Sequence, residues 1–275
     1  MFAVLFGSLV LCTTATAADE SGKPQVSVGM KIWNSSWFSY LPGAYTGVDP
    51  ATGAPGLADS IDAIEGEQTT SIIPVIAIGK GQYVLSASHG RFDTSFYAQH
   101  SSVVGHAGQN ILSSRTDHLV RKESDVTIAY LVTPNIALSA GLKYATETRD
   151  MAVGSSRAPE RLLEADAIGL IFGAQANFPI AGGLRAYGQF GYGPGRVTTQ
   201  GPTVAKSTSA ARYLVSEIGL NYALTMADPY VKGMSLGIGF RSQIFKTSGV
   251  GPAYLDRRDY RDTKDGIVMS LSVAI

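Results

Sequence analysis

Seven ionisable side chains sit at alternate positions within otherwise small or apolar stretches: Lys31, Asp125, Lys143, Glu147, Arg185, Glu217 and Arg241. Successive side chains of an extended strand point to opposite sides, so each of these shares a face with its neighbours two residues away. Registers centred on the short connections bring opposite signs together. A hairpin through Pro134 sets Asp125 across from Lys143 and Arg121 across from Glu147, and one through Pro229 sets Glu217 across from Arg241. Such cross-strand pairs stabilise a sheet by tenths of a kcal/mol, up to about 1 kcal/mol. Enclosed in a bore they do one of two things. They neutralise one another as a polar plug that holds the bore round, or they form a charged constriction that selects ions or small polar solutes.

Other chemistry-bearing residues give weaker patterns. The four histidines, His89, His100, His106 and His118, fall in one stretch, but their spacings match no short metal motif, and solvated loop positions are expected. His89, Arg91 and Asp93 share a strand face. A His–Asp couple can activate water or a nucleophile, yet no serine or acid motif accompanies this one, so no catalytic, metal or cofactor residue is assigned. The segment DRRDYRDTKD, Asp256 to Asp265, alternates in sign and reads as a loop. Its Arg257, Arg258 and Arg261 are candidate contacts to surface-lipid phosphates, beside the plainer reading of a mutually paired, solvated loop. GYGPG, Gly191 to Gly195, is not a phosphate loop, because no Lys-Ser/Thr follows it.

The elements that carry these residues alternate with period two. Val26, Val28, Met30 and Ile32 oppose Ser27, Gly29 and Lys31; Ile218, Leu220 and Tyr222 oppose Glu217, Gly219 and Asn221; the chain ends with Ile267, Met269, Leu271, Val273 and Ile275 against Val268, Ser270, Ser272 and Ala274. About ten such segments follow one another, with eight or twelve as alternatives, each near the ~9–11 residues of a tilted membrane strand. Connections alternate in length. Short ones fall at Lys80-Gly81, Thr133-Pro134-Asn135, Pro179 to Gly182 and Thr225 to Gly233; long ones at 40–69, 94–118, 149–163, 194–211 and 247–265. No later segment offers the roughly 18 uninterrupted apolar residues of a membrane helix.

The N-terminus reads differently. Phe2 to Cys12 is an apolar run followed by small residues ending in Ala15-Thr16-Ala17, the pattern of a cleaved leader, although nothing basic precedes it. Residues 1–17 are therefore expected to be a signal peptide and 18–275 a single domain, which loses the only cysteine, Cys12, on cleavage. Lys+Arg and Asp+Glu are both 22, so no basic footprint for nucleic acid exists, and the 45% hydrophobic content excludes disorder.

A narrow closed barrel cannot hold the larger apolar face inside at native packing density, whereas the Gly, Ser, Lys, Arg and Glu face fits. The apolar face is thus expected to point outward, into lipid. Aromatic residues near strand ends, Trp33, Trp37, Phe38, Tyr40, Phe92, Phe96, Tyr97 and Tyr192 toward the loops and Phe178, Tyr222 and Tyr230 toward the turns, are expected to form interfacial girdles. With the leader FAVLFGSLVLCTTATA, the alternating hairpins and the last strand GIVMSLSVAI, the chain resembles a Gram-negative outer-membrane β-barrel, with Ile275 where such proteins commonly end in Phe. Its size is similar to that of the omptin protease barrels, without matching Asp-Asp and Asp-His pairs. The resemblance implies an all-β, up-and-down transmembrane barrel, porin-like, with short periplasmic turns and long extracellular loops. It implies outer-membrane lipids and lipopolysaccharide as surroundings and the barrel-assembly machinery as a partner in biogenesis. The expected activity is a narrow passive pore or a structural surface protein with a plugged lumen. An adhesin or receptor acting through its loops is the second reading, and a barrel enzyme on lipid or peptide the third.

Overall fold

The structure is a computed structural model that describes residues 24–39, 47–48, 55–56, 64–103, 110–153, 160–202, 205–226, 228, 230–247 and 260–275. The expected leader, Tyr40, His106, Arg257 and Arg258 lie outside the described residues. Ten long strands carry the fold: β1 (Gln25–Ser39), β2 (Thr69–Lys80), β3 (Tyr83–Val103), β4 (Asn110–Thr133), β5 (Ile136–Val153), β6 (Glu160–Ala181), β7 (Leu184–Gln200), β8 (Ser207–Thr225), β9 (Gly233–Thr247) and β10 (Tyr260–Ala274). Each pairs antiparallel with the next in sequence. β10 returns to β1 in a ladder from Ser27↔Ala274 to Ser39↔Asp262, so the sheet closes as an up-and-down barrel. Among the described residues there is no helix.

Period two decides which side each residue takes. On β8, Glu217 is 1% exposed and its neighbour Ile218 is 66% exposed. The same alternation puts Val28, Ile76, Leu85, Ile128, Leu138, Leu170, Phe190, Leu220, Ile238 and Met269 on the outside, one from each strand, in a continuous apolar belt. A belt of this kind suits lipid, and closure leaves no strand edge for lipid to meet. This is the fold of an outer-membrane β-barrel.

The turns are built from residues suited to them. Gly81 (φ 59°) and Gly182 (φ 53°) adopt the left-handed conformation that tight hairpins require and that glycine takes without a steric penalty. Between β4 and β5, the Thr133 hydroxyl accepts the N–H groups of Asn135 (3.2 Å) and Ile136 (3.0 Å). Between β8 and β9, the Asp228 carboxylate accepts those of Tyr230 (2.7 Å) and Val231 (2.9 Å), which holds it below its ordinary pKa. Both described chain ends lie at this turn end of the barrel.

At the other end the strands run further than the sequence suggests. β4 has 24 residues, about 80 Å of extended chain against the ~9–11 residues of a membrane crossing. Three expected long loops therefore shrink to 104–109, 154–159 and 201–206, because polar strand continues where a loop was read. The segment 256–265 is likewise part strand, with Tyr260 onward in β10. One seam interrupts the wall. The β2–β3 ladder stops at Val75↔Ser88, next to Pro74, which has no N–H to donate, and contact resumes at Gly66↔Phe96. Ile73 packs over Gly90 to close the gap.

The interior is not purely polar. Trp33, Trp37, Ile73, Val75, Phe92, Phe96, Leu119 and Val268 form a buried apolar cluster inside the barrel. This corrects the girdle expectation for Trp33, Trp37, Phe92 and Phe96. Trp33 and Trp37 share the parity of Lys31, and Phe92 and Phe96 that of Gly90, so all four point inward. Tyr192, Phe178, Tyr222 and Tyr230 are exposed on the outside.

Candidate functional site: the charged bore

The register fixes which charges meet. Asp125 faces Lys143 and Arg121 faces Glu147 across β4 and β5, and Glu217 faces Arg241 across β8 and β9. All six point into the bore and are buried.

Two carboxylates are hubs. Glu217 accepts from Lys31 at 2.7 and 2.8 Å, from Arg241 at 3.1 Å, from the Tyr187 hydroxyl at 2.9 Å and from Gln189 at 2.8 Å. Lys31 reaches it from β1 across the barrel. Room for Tyr187 comes from the facing pair Gly219 and Gly239, since a Cβ on Gly239 would lie 2.5 Å from the Tyr187 oxygen. Glu123 is the second hub. It takes Lys143 and Lys264, each at 2.8 Å, and Gln243 at 2.8 and 3.0 Å. Lys143 also holds Asp125 at 2.9 Å. Arg121 bridges Glu147 (2.6 Å) and Asp262 (2.9 Å), and Arg149 pairs with Asp117 toward the loop end.

The cations are also packed on aromatic faces. The Lys264 ammonium lies 3.5 Å from the Phe92 ring centroid and 5.0 Å from Trp37. Arg241 lies over Trp33 at 5.0 Å, Arg121 over Trp37 at 4.9 Å, and Lys143 over Tyr213 at 4.4 Å. The inward aromatic cluster and the ion pairs are thus one structure, in which cation–π contact replaces part of the lost hydration. Beside the Glu123 hub, a cavity of about 40 Å³ faces a wall of small residues, Ala165, Ala167, Gly169, Gly193 and Gly195. That is room for about one water.

Of the seven residues singled out by alternation, Lys31, Asp125, Lys143, Glu147, Glu217 and Arg241 fall within this network. Arg185 lies nearer the turns, donating to Asn177 at 3.1 Å. Sequence reasoning passed over Glu123, Asp117, Arg149, Asp262 and Lys264. Glu123 and Arg149 were within reach, since each continues the parity of a residue already chosen, Asp125 and Glu147. Asp262 and Lys264 were hidden in the apparent loop.

The outward polar residues form separate pairs. Asp93 holds His118 at 2.6 Å and Arg91 at 3.1 Å, while His89 meets Ser124 at 2.9 Å. The His–Asp couple is therefore Asp93 with His118, not with His89, and it is open to solvent. Arg161 binds Asp150 and Glu164, both at 2.5 Å, and the hydrogen bond to Asp150 leads in raising its pKa. Arg261 is exposed on the outer face of β10.

No family model and no curated protein matches the chain. Among solved structures, the outer membrane protease OmpT from Escherichia coli is similar at 9% identity, covering 91% of this chain and 94% of that one, with a TM-score of 0.39. The translocator domain of the autotransporter NalP from Neisseria meningitidis is similar at 10% identity, 93% and 90% coverage and a TM-score of 0.39. The Pseudomonas putida toluene transporter TodX gives 7%, 91%, 89% and 0.34. Likenesses this remote carry no information on activity.

Proposed function

We propose that the chain is an integral outer-membrane protein whose bore is plugged at rest, a structural surface protein instead of an open diffusion pore. One observation carries this reading: Glu217 and Glu123 are each saturated by cations and amides of the barrel itself. A constriction that passes ions needs groups whose coordination a solute can complete. Here the barrel's own side chains complete it, and the cations lie against aromatic rings. Export by a cleaved leader and insertion by the barrel-assembly machinery belong to the same reading, with lipopolysaccharide and outer-membrane lipid as surroundings. The chain has no assigned catalytic role in it: the Asp93–His118 couple faces outward and is engaged with Arg91. The test is planar-bilayer recording on the refolded mature chain, checked for heat-modifiable mobility. The expected result is silence at resting voltage. Stepwise conductance from the same folded sample would overturn the proposal.

The projecting strands favour a second reading, a surface receptor or adhesin. The outer faces of β3 to β6 carry polar pairs well beyond the apolar belt. In that case shortening 104–109 and 154–159 abolishes surface adherence while leaving the barrel folded.

A further inference from the structure

The cavity beside Glu123 has features that the charge network does not explain. Its enclosed space of about 40 Å³ belongs to a wider, part-open hollow between the bore charges and the β6–β8 wall. Arg121, Glu123, Lys143 and Glu147 line it on the bore side and are paired among themselves, Arg121 with Glu147 at 2.6 Å and Lys143 with Glu123 at 2.8 Å. Apolar side chains supply most of the remaining lining: Ala165, Ala167, Ile171, Val197, Ala211 and Phe245. Tyr213 also lines the hollow. Its ring lies under the Lys143 ammonium at 4.4 Å, but its buried hydroxyl has no hydrogen-bond partner among the described residues. A buried hydroxyl left unpaired forfeits its hydration without recompense, so it favours any occupant that completes it.

The wall beside the hollow is bare. Gly169, Gly193 and Gly195 line it, so only backbone separates it from the outer face there, and Ile168 and Pro194, whose side chains are exposed outside, line it as well. The β6–β7 ladder is interrupted at the same place. Pairing runs to Tyr192↔Phe172 and resumes at Gly195↔Gly169, so Gly193 and Pro194 have no ladder partner on β6, while Pro194 stays paired with Arg212 on β8. Proline has no N–H to give to a ladder. Close backbone contact shuts the interruption: a Cβ on Gly193 would collide with the Leu170 carbonyl oxygen. Outside it, Ile168, Leu170 and Tyr192 are exposed to lipid. A molecule dissolved in the membrane therefore lies one backbone away from the hollow.

We propose that this hollow is a binding site for a short-chain neutral amphiphile, a hydrocarbon body with one hydroxyl or carbonyl group, whose oxygen pairs with the Tyr213 hydroxyl. The ligand is neutral because the charged groups of the lining already answer one another. It carries one oxygen because one buried hydroxyl is left to pair. It is short because the enclosed space of about 40 Å³ takes little more than a hydroxymethyl group, the remaining carbons lying in the open part against the apolar lining. Pockets of this make-up, mostly apolar with a single placed polar group, are the usual form of small-molecule sites. The site goes beyond the structural role proposed above, and it stands whether the bore is silent or conducts.

The experiment is photolabelling of the barrel, refolded in phosphatidylcholine vesicles, with azibutanol, a diazirine-bearing short alcohol, and mass-spectrometric mapping of the adducts. Tyr222 on the lipid face is the internal reference for labelling from bulk membrane. Adducts on Tyr213 and Glu147 are expected to exceed those on Tyr222 by about ten-fold or more and to be suppressed by excess butanol. Chlorobutane, which lacks the hydroxyl, should compete about two- to ten-fold less well, the worth of one neutral hydrogen bond. Ala167→Leu fills the hollow and should bring Tyr213 down to the Tyr222 level, while Tyr213→Phe should weaken butanol's protection of Glu147 without emptying the site. Heat-modifiable mobility establishes that each variant is folded, and butanol competition on the parent protein decides the matter should Ala167→Leu fail to fold. The proposal is overturned if Tyr213 and Tyr222 label equally, if excess butanol leaves the Tyr213 adduct unchanged, if folded Ala167→Leu retains it, or if chlorobutane competes as well as butanol.

Discussion

Replacing Glu217 by Gln is the sharpest perturbation of the bore. The shape hardly changes, but the carboxylate that answers Lys31 and Arg241 is lost. Those side chains are only 2% and 3% exposed, so water cannot replace it. Arg241 keeps the Trp33 face at 5.0 Å, whereas Lys31 donates to no other carboxylate among the described residues. The new amide also turns a donor toward one of the cations. Breaking a buried pair from one side costs about 3–5 kcal/mol, chiefly the penalty of the orphaned charge. Glu217→Gln should therefore destabilise the folded barrel by that amount in urea titrations of the vesicle-refolded protein. Adding Lys31→Met removes the orphan and fills its space with an unbranched chain. The double variant should recover at least about 2 kcal/mol, a coupling a double-mutant cycle resolves. If Glu217→Gln costs under about 1 kcal/mol, or Lys31→Met gives no recovery, the hub is not the buried, desolvated group its geometry implies.

Three further outcomes follow from neighbouring features. Lys264→Met leaves Glu123 with Lys143 and Gln243, so its cost should be smaller, about 1.5–3 kcal/mol for one charged hydrogen bond, in the same urea assay. Ile218→Arg places a cation on the lipid side of β8 and should cost about 2–4 kcal/mol near mid-belt, while Ile218→Leu is neutral; the folded fraction in vesicles distinguishes them. Asp228 has its pKa lowered by the N–H groups of Val231 and Tyr230, so it stabilises the β8–β9 turn above its unfolded pKa, and that contribution disappears as pH falls below about 4. Asp228→Ala should therefore lower the unfolding midpoint at pH 7 and show a flatter decline between pH 5 and pH 3.

Alternation made the barrel legible because it is a property of the backbone: every outward Ile, Leu and Phe of the belt follows from parity alone. The same rule carried the bore pairs at Pro134, where the turn is tight and the register has few choices. It would also have turned Trp33, Trp37, Phe92 and Phe96 inward. The girdle expectation overrode it by treating aromatic character near a strand end as a lipid-interface signal, whereas here these rings shield buried cations. What parity could not supply was reach across the barrel. Lys31 meets Glu217 from 186 positions away, and Lys264 meets Glu123 from 141. Such contacts depend on closure, which no pair of adjacent strands encodes. The strand at Tyr260 was lost for another reason: Arg261 to Asp265 is charged on both faces, so no hydrophobic period marks it.

The charges in the bore also bear on how one barrel is specified. A strand with apolar residues on both faces could slip by one residue and still present an acceptable surface to lipid. On β8 a slip of one would put Glu217 against the acyl chains and draw Ile218 and Leu220 inside. Each charge turned into lipid costs several kcal/mol, and each buried partner left behind costs more. Because Glu217 and Glu123 draw on strands from opposite sides of the wall, a slip in one strand would break pairs in several. Buried ion pairs are weak contributors to net stability, so their value here lies in this difference between right and wrong registers. A bore repacked with apolar residues of equal volume would remain insertable but lose that discrimination, and should refold into vesicles with a larger fraction of misregistered, protease-sensitive chains.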